Sequence, residues 1–166
     1  MTAKSTTTHK KRAGDGGTYL VIADGTPEFR VALRYAANIA QQRRGHVAMA
    51  MIIEPTEFLG WGGVEAAVRD EARQKAEKEM SVLCAEVQSE VGITPAVIIR
   101  EGIRTDEVIA IAKGNPTIVA VIMGVAAETA NNHPMMSFFT AKGLAQLNVP
   151  LVIVPGHMTQ QPMPLA

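Results

Sequence analysis

The sequence is short of cysteine, of aromatic rings, of net charge and of long apolar runs, and each shortage closes a class of function. One cysteine, Cys84, among 166 residues cannot form an intramolecular disulfide or anchor a cysteine-rich metal site; it reads as a small buried apolar group in a reducing cytoplasm. Aromatics make up 4% of the chain, too few for a surface that stacks single-stranded nucleic acid. Sixteen Lys and Arg balance sixteen Asp and Glu, so the protein's overall field offers no hold on nucleic acid or on an acidic membrane. No apolar run approaches the roughly 18 residues of a membrane helix, and the N-terminal segment lacks the apolar centre of a secretory signal. The expectation is a cytoplasmic protein with neither a membrane nor a nucleic-acid partner.

Motifs that carry chemistry in other folds are missing too. No GxGxxG follows the first apolar run, and neither GxxxxGK[ST] nor GxSxG occurs, which removes the dinucleotide fingerprint, the P-loop and the nucleophile elbow. His9, His46, His133 and His157 are scattered, with no HExxH. An enzyme built on side-chain chemistry therefore has no support in the sequence.

What is present is an alternation of apolar runs and amphipathic segments. Residues 1–17 have no apolar periodicity and read as a disordered basic tail, in which His9, Lys10, Lys11 and Arg12 form a solvated cluster rather than a phosphate contact. Residues 157–166, with two prolines, read as a loose C-terminal tail, which leaves 18–156 as one α/β domain. Tyr19 to Ala23, Val47 to Ile53, Ala96 to Arg100, Ile118 to Met123 and Leu151 to Val154 are short apolar runs that fit strands buried on both faces.

Helices are expected between them. Thr26 is placed to cap a helix beginning at Pro27 and ending near Arg43. A long charged helix runs from Val64 to about Val91 on a stripe of Val64, Val68, Ala72, Ala76, Leu83 and Val87; its small alanines suit packing on a sheet better than a coiled coil. Shorter helices follow at about Thr105 to Lys113 and Ser137 to Leu147, the last with Ser137 as its cap. Five apolar strands separated by helices imply parallel pairing through right-handed crossovers, hence a doubly wound parallel sheet. Ligands in such sheets bind beyond the strand ends where the winding reverses, and Gly25 and Gly124 mark the ends of strands one and four as neighbours at that point.

The pieces VIADGTPEF, MIIEP, REGIRTDEVIAIA, VIMG and NVPLVIVP, in this order and spacing, resemble the universal stress protein family over about residues 18 to 155. The resemblance implies a five-stranded sheet in the order 3-2-1-4-5, of the adenine-nucleotide alpha-hydrolase-like type, and a dimer. It also implies, for some members, ATP bound through G-x2-G-x9-G-[ST] after strand four. On that pattern Asp24 faces the ribose and metal region, Ile52 meets adenine through its backbone, and Gly124 is the first motif glycine. Then the chain departs: Ala127 and Ser137 replace the second and third glycines, and Phe138 replaces the hydroxyl residue, while Thr140 offers a hydroxyl two positions later.

Glycine lets backbone N–H groups approach a phosphate and permits positive φ, and Ala127 and Ser137 restrict both. Residues 125 to 141 contain no Lys or Arg, and Glu128 adds a negative charge. The expectation is a regulatory or ligand-sensing protein of the stress response with a degenerate adenine-nucleotide site. No cofactor is required, and ATP or AMP binds weakly if at all. Asn131, Asn132 and His133 are available as donors, against the plainer reading in which His133 sits in solvent. Asp24 divides between ligand contact and simple organisation of its turn. Glu54 reads as a solvated strand-end residue, and Met135, Met136, Phe138 and Phe139 as an apolar cluster able to close over the phosphate side. A competent ATP switch and a nucleotide-free module with an unknown protein partner stay open beside this reading. The apolar, uncharged edge Leu151 to Val154 is the expected homodimer surface.

Overall fold

The computed structural model describes residues 16–55 and 63–158. The basic cluster His9 to Arg12, most of the loop between Pro55 and Gly63 and the last residues of the C-terminal tail lie outside the described residues. Gly16 and Gly17, which the sequence reading gives to the tail, are held against the following chain: the Gly16 N–H donates to the Arg44 carbonyl, and the Gly17 carbonyl accepts from the His46 N–H.

Strands β1 (Thr18–Ala23), β2 (His46–Ile53), β3 (Ala96–Glu101), β4 (Ile118–Val125) and β5 (Leu151–Pro155) form one sheet in the order β3-β2-β1-β4-β5. All pairs are parallel, as the uninterrupted apolar runs imply, and Val21 at the centre lies between Met49 and Ile122. Because strand side chains alternate, Tyr19, Val21 and Ala23 enter one core layer and Leu20 and Ile22 the other. Helices α1 (Pro27–Arg43) and α2 (Val64–Val91) supply the first layer; α3 (Arg104–Gly114) and α4 (Pro134–Phe138) supply the second. Ala32, Ala36, Ala37 and Ala40 of α1 are fully buried, and their small size lets the helix lie close on the sheet.

Helix α2 has the expected length, but only its second half packs. Ala76, Met80, Leu83 and Val87 are buried, whereas Val64 is 51% exposed. The first half reaches beyond the packed core, where Val68 and Ala72 are half-buried and border clefts at the strand ends, and Met80 carries the stripe between Ala76 and Leu83. The overhang is tied to the end of β3 by Arg69 and Arg73, both paired with Glu101. Helices α1 and α2 are joined by Arg30 with Glu86 and by a two-pronged bond from Arg34 Nε and Nη2 to Glu90 at 2.7 and 2.9 Å.

The largest departure lies after β4. The strand continues through Gly124 to Val125, and a 3-10 turn occupies Ala127–Asn132 within the expected loop. The last helix starts at Pro134, not Ser137, because proline holds His133 extended (φ −76, ψ 118) and itself fits the first helical turn. It then widens into a π turn at Phe139–Gly143 and tightens to 3-10 at Leu144–Gln146. The π turn brings Gly143 against the rings of Phe138 and Phe139, where a Cβ would stand 2.5 Å from the Phe138 ring. Met135 and Phe139 are buried in the α3-side core, and Met136 and Phe138 pack on it. That cluster is core beneath the loop, not a cover above the phosphate side.

Candidate functional site

The turn after β1 is built by Asp24. Its Oδ1 accepts from the Thr26 N–H at 3.0 Å and from the Thr26 hydroxyl at 2.7 Å, closing an Asx turn. Thr26 occupies the N-cap position of α1, but its hydroxyl is spent on Asp24 and caps nothing. Gly25 completes the turn with φ +78, and a Cβ there meets nothing within 4 Å, so backbone conformation is the reason for glycine. Of the two readings of Asp24, organisation of the turn is thus realised, with one oxygen committed to it.

The other oxygen, Oδ2, faces His133 Nε2 at 3.5 Å, and the two side chains are only 5% and 13% exposed. His133 therefore does not sit in solvent. It reaches from the β4–α4 loop across the switch point to the end of β1, and its Nδ1 is buried with no hydrogen-bond partner among the described residues.

A cleft of about 240 Å³ opens over the C-terminal ends of β1 and β2, between α2 and the start of α3. Asp24, Gly25 and Ile52 all line it, so the three residues expected on the adenosine side do come together. Ala72 and Ala76 of α2 form an apolar wall opposite. Two cations at its border, Lys75 and Arg104, escaped the sequence reading. Arg104 opens α3 directly after the Gly102-Ile103 turn, and its backbone N–H and guanidinium both meet Glu54, at 3.3 and 3.6 Å. Glu54 is thus exposed yet paired, and Arg104 Nε is buried without a partner among the described residues. A second cleft, of about 280 Å³, shares Ile53 and Ala72 with the first and lies under the α2 overhang beside Arg69 and Glu101.

The three residues expected on the phosphate side do not line the first cleft, and each is engaged by its own fold. Gly124 is packed under the first turn of α1. Ser137 is exposed one turn inside α4, and its N–H donates to the His133 carbonyl, so it neither caps the helix nor offers a free backbone donor. Thr140 donates its hydroxyl to the Met136 carbonyl at 2.8 Å. Among the described residues no three His, Cys, Asp or Glu side chains gather as metal ligands. Cys84 is half-buried, with its thiol pushed up by burial and directed at the Pro95 carbonyl. The cleft can seat a flat, largely apolar group against Ile52 and the α2 alanines, with polar reach from Asp24, Lys75, Glu79 and Arg104; among the described residues it holds no nucleophile beside a base.

A doubly wound 3-2-1-4-5 sheet with a cleft over the β1 and β2 ends defines an α/β fold of the nucleotide-binding kind. The chain belongs to the universal stress protein family, whose pattern it matches over residues 18–155. Its fold is similar to that of the universal stress protein UspA from Lactobacillus plantarum, at 16% identity and a TM-score of 0.70, covering 86% of this chain and 99% of that one. It is also similar to a universal stress protein from Archaeoglobus fulgidus solved with dAMP, at 15% identity and TM-score 0.53, covering 83% and 97%. A third similar structure is a universal stress protein in complex with cAMP, at 13% identity and TM-score 0.52, covering 84% and 97%. No curated protein matches the chain.

Proposed function

We propose that this protein is a regulatory, ligand-sensing member of its family that binds an adenine nucleoside or nucleoside monophosphate weakly and makes little use of a triphosphate. The observation that carries the reading is the division of the site: Asp24, Gly25 and Ile52 share an open cleft, whereas Gly124, Ser137 and Thr140 are spent on packing and helix bonds. Similar folds solved with dAMP and cAMP support a monophosphate as the ligand class. In this reading the base rests on Ile52 and the sugar faces Asp24. In this reading the ligand acts by occupancy.

The same reading includes a homodimer through β5, which lies at the sheet edge with Ile153 39% exposed. A cytoplasmic setting fits a chain with one half-buried thiol and no need of an oxidising compartment. Melting curves with adenosine, AMP, cAMP and magnesium ATP test the ligand class. Equal, small upward shifts with the first three and none larger with ATP support it; a large shift confined to magnesium ATP contradicts it.

A further inference from the structure

The first subsite of interest is not in the cleft but beside it, where His133 closes on Asp24. His133 Nε2 stands 3.5 Å from Asp24 Oδ2, a polar contact longer than the bonds Asp24 makes to Thr26. Asp24 Oδ1 already accepts from both Thr26 groups, and Oδ2 faces His133. The sheet order places β4 on the far side of β1 from β2, and in the adenine-nucleotide reading the phosphates of a ligand lying over β1 and β2 pass Asp24 toward the β4–α4 loop. That loop places the imidazole on the β4 side of the carboxylate.

A magnesium-bound polyphosphate needs an uncommitted carboxylate oxygen or cationic donors on that path. The imidazole Nε2 stands 3.5 Å from Oδ2 on that path, and residues 125–141 provide no Lys or Arg. The rigid approach to His133 is fixed by Pro134 and by the core packing of Met135, so the ring is delivered to Asp24 by the fold, not by chance contact of an exposed side chain.

We propose that His133 is a specificity-determining residue of the cleft: by occupying the β4 side of Asp24 it excludes a metal-bound polyphosphate and leaves a site for nucleosides and monophosphates. This rests on the adenine-nucleotide reading of the cleft, and it accounts for selectivity without any change in the adenosine side.

The test compares the unaltered chain with His133→Ala and His133→Ser by titration with adenosine and with magnesium ATP. Serine is too short to reach Asp24 but suits the N-cap position that His133 holds, where no side-chain cap exists, so it keeps the helix if alanine does not. Both variants are expected to gain about tenfold in affinity for magnesium ATP while adenosine changes by less than about threefold. An unchanged ATP-to-adenosine ratio overturns the proposal, and a loss of ATP or AMP affinity overturns it by making His133 a phosphate ligand. Diethylpyrocarbonate labelling without nucleotide, read peptide by peptide, should modify His133 far more slowly than exposed His157; equal rates overturn the assignment independently. If neither the unaltered chain nor the variants bind adenosine, the adenine reading fails and the selectivity proposal falls with it. Slow His133 labelling would then show that the contact itself is correctly described.

Discussion

Gly124 in β4 lies so close to Glu28 in the first turn of α1 that a Cβ placed on it would stand 2.1 Å from the Glu28 carbonyl oxygen. The obstacle is backbone, which cannot rotate away. The glycine is required for the two elements to meet at the switch point, whether or not anything binds there.

Gly124→Ala should therefore destabilise the ligand-free protein by at least the roughly 1–3 kcal/mol typical of overpacking. Urea unfolding of both forms measures it. A change below about 0.5 kcal/mol would mean that β4 and α1 are free to separate, and that the glycine serves something other than packing.

Asp24 is expected to matter to stability before it matters to a ligand. Asp24→Ala removes the acceptor of two Thr26 donors and uncovers His133, at a cost of about 1–3 kcal/mol. Asp24→Asn keeps an oxygen in the Oδ1 position and should recover most of that loss. Thermal melting without nucleotide distinguishes them; identical melting of Asp24→Ala and the unaltered chain would remove Asp24 from the turn.

The Arg34–Glu90 contact gives a pH signature. The Arg34 hydrogen bond holds the Glu90 carboxyl below the usual glutamate range, so the unfolded chain binds the proton more readily than the folded one. Its contribution is complete above the ordinary glutamate range and lost as pH falls through the lowered folded value. Glu90→Gln should melt slightly earlier than the unaltered chain near neutral pH, and the gap should close as pH falls below the ordinary glutamate range and in high salt. The pair is exposed, so the gap is small. A gap that widens in acid contradicts the assignment.

The β5 edge offers a cleaner probe of association than the strand's sequence suggests. Val152 packs on the α1-side core and Leu151 on the other, so a charge at either disturbs folding as well as any interface. Ile153 is the exposed member of the run. Ile153→Lys should leave the melting temperature within about two degrees and convert a dimer to a monomer in sedimentation at tens of micromolar. A monomeric unaltered chain at that concentration contradicts the β5 dimer.

Strand runs such as Tyr19 to Ala23 and Leu151 to Val154 were readable because a strand buried on both faces has no polar positions to blur it, and their alternation with helices is enough to require parallel pairing. The order of strands followed from Gly25 and Gly124 together with the family resemblance. Asp24 and Gly25 were readable as neighbours of the cleft because they follow β1 at the switch point, and Ile52 through the family resemblance. His133 was named as a donor but its contact with Asp24 was not readable, since nothing in NNHP says that proline will hold that residue extended toward a carboxylate more than a hundred positions earlier in the chain. Lys75 and Arg104 escaped because their place at the cleft depends on how α2 and the start of α3 lie over the strand ends, which periodicity does not report. The broken last helix escaped because a π turn is set by the packing of Phe138, Phe139 and Gly143, and the sequence SFFTAKGLAQL is compatible with a regular helix.

In the proposed function the adenosine side of the site persists while the phosphate side is spent on the fold. Charge-assisted contacts each contribute on the order of 1.5–3 kcal/mol, so a site that uses its phosphates binds ATP a hundredfold or more tighter than adenosine. Isothermal titration of the unaltered chain with adenosine and with magnesium ATP tests this most directly. Weak binding of both is expected, with affinities within about threefold of one another; sub-micromolar ATP binding, or ATP tighter than adenosine by a hundredfold, would contradict the divided site.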